Sequence, residues 1–398
     1  MNFTPAEELL RRQGRLQERI GLEFLDGALL TENMDLFYFT GSMQQGFLFI
    51  PDEGNSLYMV RRNFARALDE SGLEIIRPLR DMKQLQAYIN DFRGKKKLKR
   101  IGLELDVLPV KSFRRLEEMF SGVEFVDISG IIKEIRMVKS EYEINFFRKA
   151  NEIACRIFEQ IPGFLQVGKP EAAVSAEIEA LYRKAGHQGL VRMRTFNMEI
   201  FFCHVFSGEN GTMSSFLDSC TAGRGISPAS PQAAGWKALA PHEPIGIDYT
   251  SIYEGYILDH TRIFSIGALS AELERAYRLA VSIQNEIVAR ARPGLACKDL
   301  YRLAVEMAAG EGLDDYFMGY GEGQVKFIAH GIGLNLDEFP VFSQGTPHLL
   351  QPGMVFALEP KFIFPGKGMV GLENVWLVTD SGLERLTTMP DDLVTIDY

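Results

Sequence analysis

Acidic residues embedded in apolar, β-branched sequence place the strongest limit on how this chain can fold. Residues 247–262 have strand-forming residues on both sides of a Tyr-Glu-Gly turn, which predicts a β hairpin. Asp248 and Asp259 stand eleven positions apart about this turn. We predict that they are direct cross-strand neighbours, with Cβ atoms roughly 4.5–5.5 Å apart. Two ionised carboxylates at that distance repel each other, so the pair requires a proton or a bound cation.

A second stretch, residues 354–378, repeats the arrangement. Glu359 and Glu373 flank a glycine-containing turn and share a midpoint within it, so we predict that they face each other across a second hairpin. Between the two hairpins an apolar run ends in His330, which is followed by Gly-Ile-Gly. The glycines allow backbone to approach closely at this point.

Four carboxylates and one imidazole suit divalent ions such as Mn, Co, Fe or Zn. This number of acids exceeds what one ion needs, and two ions roughly 3.5–4 Å apart would use them all. The alternative is that the acids are solvated and that His330 is a core histidine, which is the usual situation for such residues. The recurrence of the pattern in two hairpins, together with His330, favours the metal site.

The order Asp, Asp, His-Gly-Ile-Gly, Leu-Glu-Pro, Glu-Asn resembles the pita-bread metallopeptidases (family M24). These comprise methionine aminopeptidases, Xaa-Pro dipeptidases, aminopeptidases P and their relative creatinase. The resemblance implies two divalent ions, with Asp248 chelating one and with His330 and Glu359 holding the other. Asp259 and Glu373 would bridge the two ions, and Glu359 would also shuttle the proton.

Other residues near the motifs are assigned supporting roles. Thr261 and Arg262 follow Asp259 directly, and we predict that they support the metal ligands. Proline-specific members of the family carry two further histidines, and this chain has neither. Residues 225–232 contain no histidine where the first is expected, and Asp337 replaces the second. An ionised aspartate cannot donate a hydrogen bond but could bind a cationic substrate group.

His204 is a candidate for the missing donor. It lies in Phe-Cys-His-Val-Phe, so a role in core packing is the competing interpretation.

The N-terminal part predicts a separate α/β domain, because strands alternate with helices. The predicted strands are residues 26–30, 46–50, 56–60, 101–105 and 124–127. This part resembles the creatinase/prolidase N-terminal domain in three pieces, Asp26-Gly27-Ala28, Tyr38-Phe39-Thr40-Gly41 and Ile101-Gly102-Leu103-Glu104. We therefore predict an α/β (α+β) chain with a creatinase-like domain over residues 1–136 and a pita-bread domain over residues 140–398.

Four long helices are predicted in the second domain. They cover residues 140–161, 170–186, 270–291 and 297–311. Ser140 and Glu143 form a capping-box pattern at the start of the first. Apolar residues recur at three-to-four spacing in the third, as with Leu273, Tyr277 and Ala280.

The net charge of −10 argues against a nucleic-acid or anionic-membrane partner. No signal peptide is expected, and no apolar run reaches the length of a membrane span. The four cysteines are scattered without a Cys-x-x-Cys motif, which is typical of reduced thiols in a cytoplasmic protein. The resemblance implies a homodimer.

Three functions are compatible with these patterns. The leading one is a dinuclear metal-dependent exopeptidase that hydrolyses short peptides at Xaa-Pro bonds. The second is a hydrolase or lyase that acts on a C–N or C–S bond of a small molecule, and the two absent histidines motivate it. The third is a non-catalytic binding module, which the complete ligand set disfavours.

Overall fold

The computed structural model describes residues 3–397, and the chain in it divides into two compact units at Arg136/Met137. The N-terminal unit contains, in chain order, α1 (Ala6–Leu22), β1 (Gly27–Leu30), α2 (Asn33–Thr40), β2 (Gly46–Pro51), β3 (Leu57–Val60), α3 (Phe64–Glu70), β4 (Ile76–Pro78), α4 (Lys83–Arg93), β5 (Arg100–Leu103), α5 (Val110–Met119), β6 (Glu124–Asp127) and α6 (Ser129–Met137).

The strands of this unit form one mixed sheet in the order β4-β3-β2-β1-β5-β6. Strand β1 pairs antiparallel with β2 and parallel with β5. Phe49 and Ile101 from the sheet share one core with Leu85 and Leu116 from α4 and α5. The sheet with its helices is the α/β arrangement that the alternating pattern predicts.

Helix α2 is absent from the sequence prediction. Six of its eight residues are buried, including Leu36, Tyr38 and Phe39, so it has no polar face to mark it as an amphipathic helix. Its start is set by Glu32, whose side chain accepts hydrogen bonds from the backbone N–H groups of Met34 and Asp35.

The C-terminal unit carries the acidic hairpins. Its elements are α7 (Glu141–Phe158), α8 (Glu171–Lys184), β7 (Cys203–Ser207), β8 (Ile245–Tyr253), β9 (Tyr256–Ile266), α9 (Ala271–Arg290), α10 (Cys297–Gly310), β10 (Phe327–Gly331), β11 (Glu338–Ser343), β12 (Val355–Leu358), β13 (Lys361–Phe364), β14 (Gly368–Gly371), β15 (Asn374–Val378), β16 (Leu383–Arg385) and β17 (Val394–Ile396).

The four predicted helices of this unit are present, and every helix end lies within three residues of its predicted position. The capping box of α7 is confirmed, since Ser140 and Glu143 exchange side-chain and backbone hydrogen bonds. The spacing argument for α9 is confirmed as well, because Leu273, Tyr277 and Ala280 are all buried in one apolar core. Among residues 3–397, no helix combines the length and the apolar composition that a membrane crossing requires.

Two larger sheets position the acids. Strands β17-β9-β8-β7 form one, and β11-β10-β12-β15-β16 form the other, while β13 and β14 form a separate ribbon. Asp248 and Asp259 lie on the first sheet, His330 lies on β10 of the second, and Glu359 and Glu373 lie at the junctions between the second sheet and the ribbon.

The first hairpin turns two residues, as expected, but its register differs from the prediction by one position on each strand. Tyr253 pairs with Tyr256, so the turn is Glu254-Gly255, and both turn residues have positive φ (48° and 89°). This backbone conformation is that of the tight hairpin turns that match strand twist. Asp248 therefore pairs with Thr261, and Asp259 pairs with Thr250. The prediction of direct Asp–Asp pairing was wrong, and the two aspartates are diagonal neighbours on one face.

The second hairpin has the predicted register. Leu358 pairs with Asn374 on one side of the acids, and Lys361 pairs with Gly371 on the other. Both pairs have the same midpoint, Gly366, so Glu359 and Glu373 occupy opposite positions between them.

Candidate metal centre

The acids of both hairpins line one cavity of about 60 Å³. Three side chains in it could hold a metal ion together: the ligand atoms of Asp259, His330 and Glu373 all lie within 4.8 Å of one another. All three residues are buried. They come from three separate segments, β9, β10 and the residue before β15, so only the folded chain assembles them.

Hydrogen bonds from the first hairpin position Glu373. The Thr261 hydroxyl donates to Glu373 Oε2 at 2.8 Å, and the Glu373 backbone N–H donates to the Thr261 carbonyl at 3.2 Å. Arg262 donates to the Glu373 carbonyl at 2.9 Å. Thr261 thus touches the carboxylate itself, whereas Arg262 holds only the backbone behind it.

The other two predicted ligands lie nearby. Glu359 Oε1 is 3.8 Å from His330 Nε2, and Glu373 Oε1 is 3.7 Å from the same atom. Asp248 lies on β8 opposite Thr261, and it lines the same cavity. The structure therefore brings all five predicted ligands to one place, with Asp259, His330 and Glu373 closest together.

Lys361 is the residue that sequence reasoning missed. Its side chain is 2% exposed, and its Nζ donates to Glu359 Oε2 at 2.8 Å, Glu373 Oε2 at 3.0 Å and Asp248 Oδ2 at 3.2 Å. A signal was present in the sequence, because Lys361 is two positions after Glu359. Residues two apart in extended backbone share a face, so this spacing predicts that Lys361 points to the same side as Glu359.

The pKa shifts reflect this crowding of charge. Burial raises the pKa of Asp259 well above its usual range, and the nearby Glu373 carboxylate adds to the rise. Burial also raises the pKa of Glu359 to about 7, although the Lys361 ammonium acts against it. Burial would raise the pKa of Glu373 too, but Lys361 and His330 hold it below its usual value. If every carboxylate in the cluster were ionised, their negative charges would therefore exceed the positive charges of Lys361 and His330.

The two predicted substrate residues both face the cavity. His204 pairs with Asp248 across β7 and β8, and its Nε2 is buried without a hydrogen-bond partner among the described residues. Asp337 Oδ1 is 3.4 Å from His330 Nδ1, and the Asp337 side chain is 41% exposed. Residues 225–228 line a different pocket, around Trp236.

The donor set fits a divalent ion. Asp259, His330 and Glu373 offer two carboxylates and an imidazole, which borderline metals accept. Catalytic zinc centres commonly have three protein ligands of these types. The second ion that the sequence predicts would compete with a cation of the protein itself. Lys361 Nζ already lies among the oxygens of Asp248, Glu359 and Glu373.

Known proteins resemble the chain along most of its length. The family model of metallopeptidase family M24 matches residues 145–380, and that of the creatinase/prolidase N-terminal domain matches residues 12–138. A Xaa-Pro dipeptidase from Pyrococcus horikoshii is 26% identical over 372 residues, which is 93% of this chain and 95% of that protein.

Solved structures agree with these matches. The X-Pro aminopeptidase from Thermotoga maritima MSB8 has a TM-score of 0.79 at 26% identity, covering 96% of this chain and 99% of that one. Dipeptidase PepE from Mycobacterium ulcerans has a TM-score of 0.81 at 25% identity, with both chains fully covered.

Fold and matches together define the class of protein as a hydrolase with a pita-bread catalytic unit. The chain belongs to metallopeptidase family M24 and carries a creatinase/prolidase-type N-terminal domain. The resemblance and the fold class predicted from the motifs are thereby confirmed.

Proposed function

We propose that the protein is a metal-dependent exopeptidase that hydrolyses short peptides at Xaa-Pro bonds. The observation that carries this proposal is the group Asp259, His330 and Glu373, which line a cavity and have ligand atoms within 4.8 Å of one another. The Xaa-Pro dipeptidase and X-Pro aminopeptidase among its relatives support the substrate class. They also favour a peptide over the small-molecule C–N or C–S substrate.

The metal ligands, Glu359 and Asp337 would have separate roles in the hydrolysis. Asp259, His330 and Glu373 would hold a divalent ion, and such an ion would supply a water of lowered pKa and polarise the substrate carbonyl. Glu359, with its pKa raised to about 7, would take the proton of the attacking water and pass it to the leaving nitrogen. Asp337, partly exposed at the cavity, would bind the α-ammonium group of the substrate.

The cavity also suits an apolar substrate side chain. Met193, Met198, Phe201 and Leu336 line it together with the charged groups. A small, mostly apolar pocket with a few convergent polar groups is the usual form of such a site. A proline ring meets these requirements because it is apolar and compact.

We expect metal-loaded protein to release free proline from an Xaa-Pro dipeptide or the first residue from an Xaa-Pro-Yaa tripeptide. Quantifying the free amino acids by chromatography checks this and separates dipeptidase from aminopeptidase activity. The matched control is the dipeptide with alanine in place of proline. Absence of product from both proline substrates, with a full metal complement, would contradict the proposal.

His204 is proposed to donate a hydrogen bond to the substrate or to the tetrahedral intermediate. We expect His204→Gln to lower kcat about 100-fold, because donors to a developing oxyanion contribute on this scale. The amount of bound metal should stay near the wild-type value, and KM should change only if the bond already forms with the bound substrate. His242→Gln, a histidine outside this cavity, is the control. Turnover within twofold of wild type would show that His204 has a packing role only.

Several finer features remain proposals. The native ion is one of Mn, Co, Fe or Zn, since carboxylate-rich sites accept each of these. A homodimer and a cytoplasmic location are proposed on the family resemblance and on the scattered free cysteines. Whether the centre binds one ion or two depends on the position that Lys361 Nζ occupies among the carboxylates.

A further inference from the structure

We propose that Lys361 takes the place of one of the two divalent ions, so that the centre holds a single ion at Asp259, His330 and Glu373. This inference rests on the proposed metal-dependent function, and it changes the expected number of metal ions in the centre from two to one. Three lines of observation carry it: the contacts of the lysine, the space its stem occupies, and the arrangement of the remaining ligands.

Each of the three N–H donors of Lys361 Nζ has a carboxylate oxygen as its acceptor. An ammonium group has three N–H donors, and Lys361 Nζ lies within 2.8–3.2 Å of three carboxylate oxygens, on Asp248, Glu359 and Glu373. An ion shared by those oxygens would bind them at about 2.0–2.2 Å, which is inside the volume that Nζ fills. The lysine and an ion therefore compete for one position, and their like charges oppose joint occupancy.

Neighbouring residues hold both the backbone and the side-chain stem of Lys361 in place. Its backbone pairs with Gly371 on β14, and its carbonyl accepts a hydrogen bond from the Met318 N–H at 2.9 Å. A Cβ on Gly371 would lie 2.9 Å from Lys361 Cγ and closer still to the Pro360 carbonyl oxygen. Glycine at position 371 thus leaves the space that the stem of Lys361 and its strand require. The Lys361 side chain has no open solvent beside it.

The division of the ligands follows from these contacts. Asp248 makes one of the three lysine contacts and does not belong to the close group of Asp259, His330 and Glu373. Glu373 uses Oε2 for the lysine and presents Oε1 towards His330, so it can serve both cations. The cluster therefore has one position occupied by its own ammonium and one position with three ligands for a metal ion.

Metal stoichiometry tests the proposal directly. The full-length protein is loaded with Mn(II) and desalted, and the manganese per chain is measured by mass spectrometry of the metal. We expect one ion per wild-type chain and two per chain in Lys361→Met, which removes the charge but keeps the stem. Lys367→Met, on the same hairpin but exposed, is the control and should bind one.

Electron paramagnetic resonance supplies an independent signal. Wild type should show isolated Mn(II), whereas Lys361→Met should show a spin-coupled pair. If the variant does not fold, the wild-type spectrum decides the question alone. Two ions or a coupled pair in the wild type would overturn the proposal, as would a folded Lys361→Met protein that still binds one ion.

The outcomes separate this inference from the proposed function. Two ions in the wild type with hydrolysis of Xaa-Pro peptides would overturn the role of Lys361 and leave the peptidase function standing. One ion in the wild type without hydrolysis of these peptides would support Lys361 and count against the peptidase function. A wild-type protein that binds no ion would overturn both.

Discussion

Replacing Glu373 with glutamine is expected to reduce kcat/KM for an Xaa-Pro peptide at least about 1,000-fold, or about 4 kcal/mol of transition-state stabilisation. Glu373 contacts more of the centre than any other single carboxylate described above. It accepts from Thr261 and Lys361, and Oε1 lies 3.7 Å from His330 Nε2. The amide is a much weaker ligand, and its NH2 group would face the donors that the carboxylate now accepts.

Metal content and turnover should fall together in this variant, and both are measured on the same desalted sample. Glu322→Gln, at an exposed position, is the matched control and should retain wild-type values. A Glu373→Gln protein that keeps its metal and more than a tenth of its activity would remove Glu373 from the ligand set.

Replacing Arg262 with methionine is expected to cost about 3–5 kcal/mol of folding free energy, the scale for removing one partner from a buried ionic network. The arginine is buried and donates to the carbonyls of Thr261, Glu373, Pro390 and Met389 and to Asn374 Oδ1. Its Nη2 also lies 3.3 Å from Asp391 Oδ1. Methionine fills much of the space but removes all of these hydrogen bonds from buried acceptors, although Asn374 Oδ1 and the Met389 carbonyl keep a bond from Arg385.

Differential scanning calorimetry should show the transition of the C-terminal unit lowered by roughly 10 °C. Arg278→Met is the control, because this arginine is exposed and forms one helical ion pair, so its loss should change stability by less than about 0.5 kcal/mol. If Arg262→Met melted within 2 °C of the wild type, the network would not be a main source of stability for this unit.

Sequence patterns were sufficient for the architecture because the periodicities and caps are local. The strand-forming residues that flank the Tyr-Glu-Gly turn, the capping box at Ser140 and the spacing of Leu273, Tyr277 and Ala280 each depend on a few neighbouring residues. Helix α2 was missed for the complementary reason. Its burial on several sides is a tertiary property that leaves no amphipathic pattern in the sequence.

The grouping of the predicted ligand side chains around one cavity was predictable from the sequence, but the electrostatics of the cavity were not. The five acid and imidazole residues could be recognised as a set, yet the position of Lys361 among them depends on the register of two strands and on the packing of a four-carbon stem. The first hairpin illustrates the same limit. A shift of one position in the turn converted a direct pair of aspartates into a diagonal one.

That diagonal arrangement has a consequence for how the protein matures. Each aspartate stands opposite a threonine, Asp248 opposite Thr261 and Asp259 opposite Thr250, so the acids of this hairpin sit roughly 7–8 Å apart instead of side by side. The repulsion between them is weaker than for a side-by-side pair, and it opposes the pairing of strands β8 and β9 less. We therefore expect the hairpin to form without an ion, and a metal ion to bind to the folded chain afterwards.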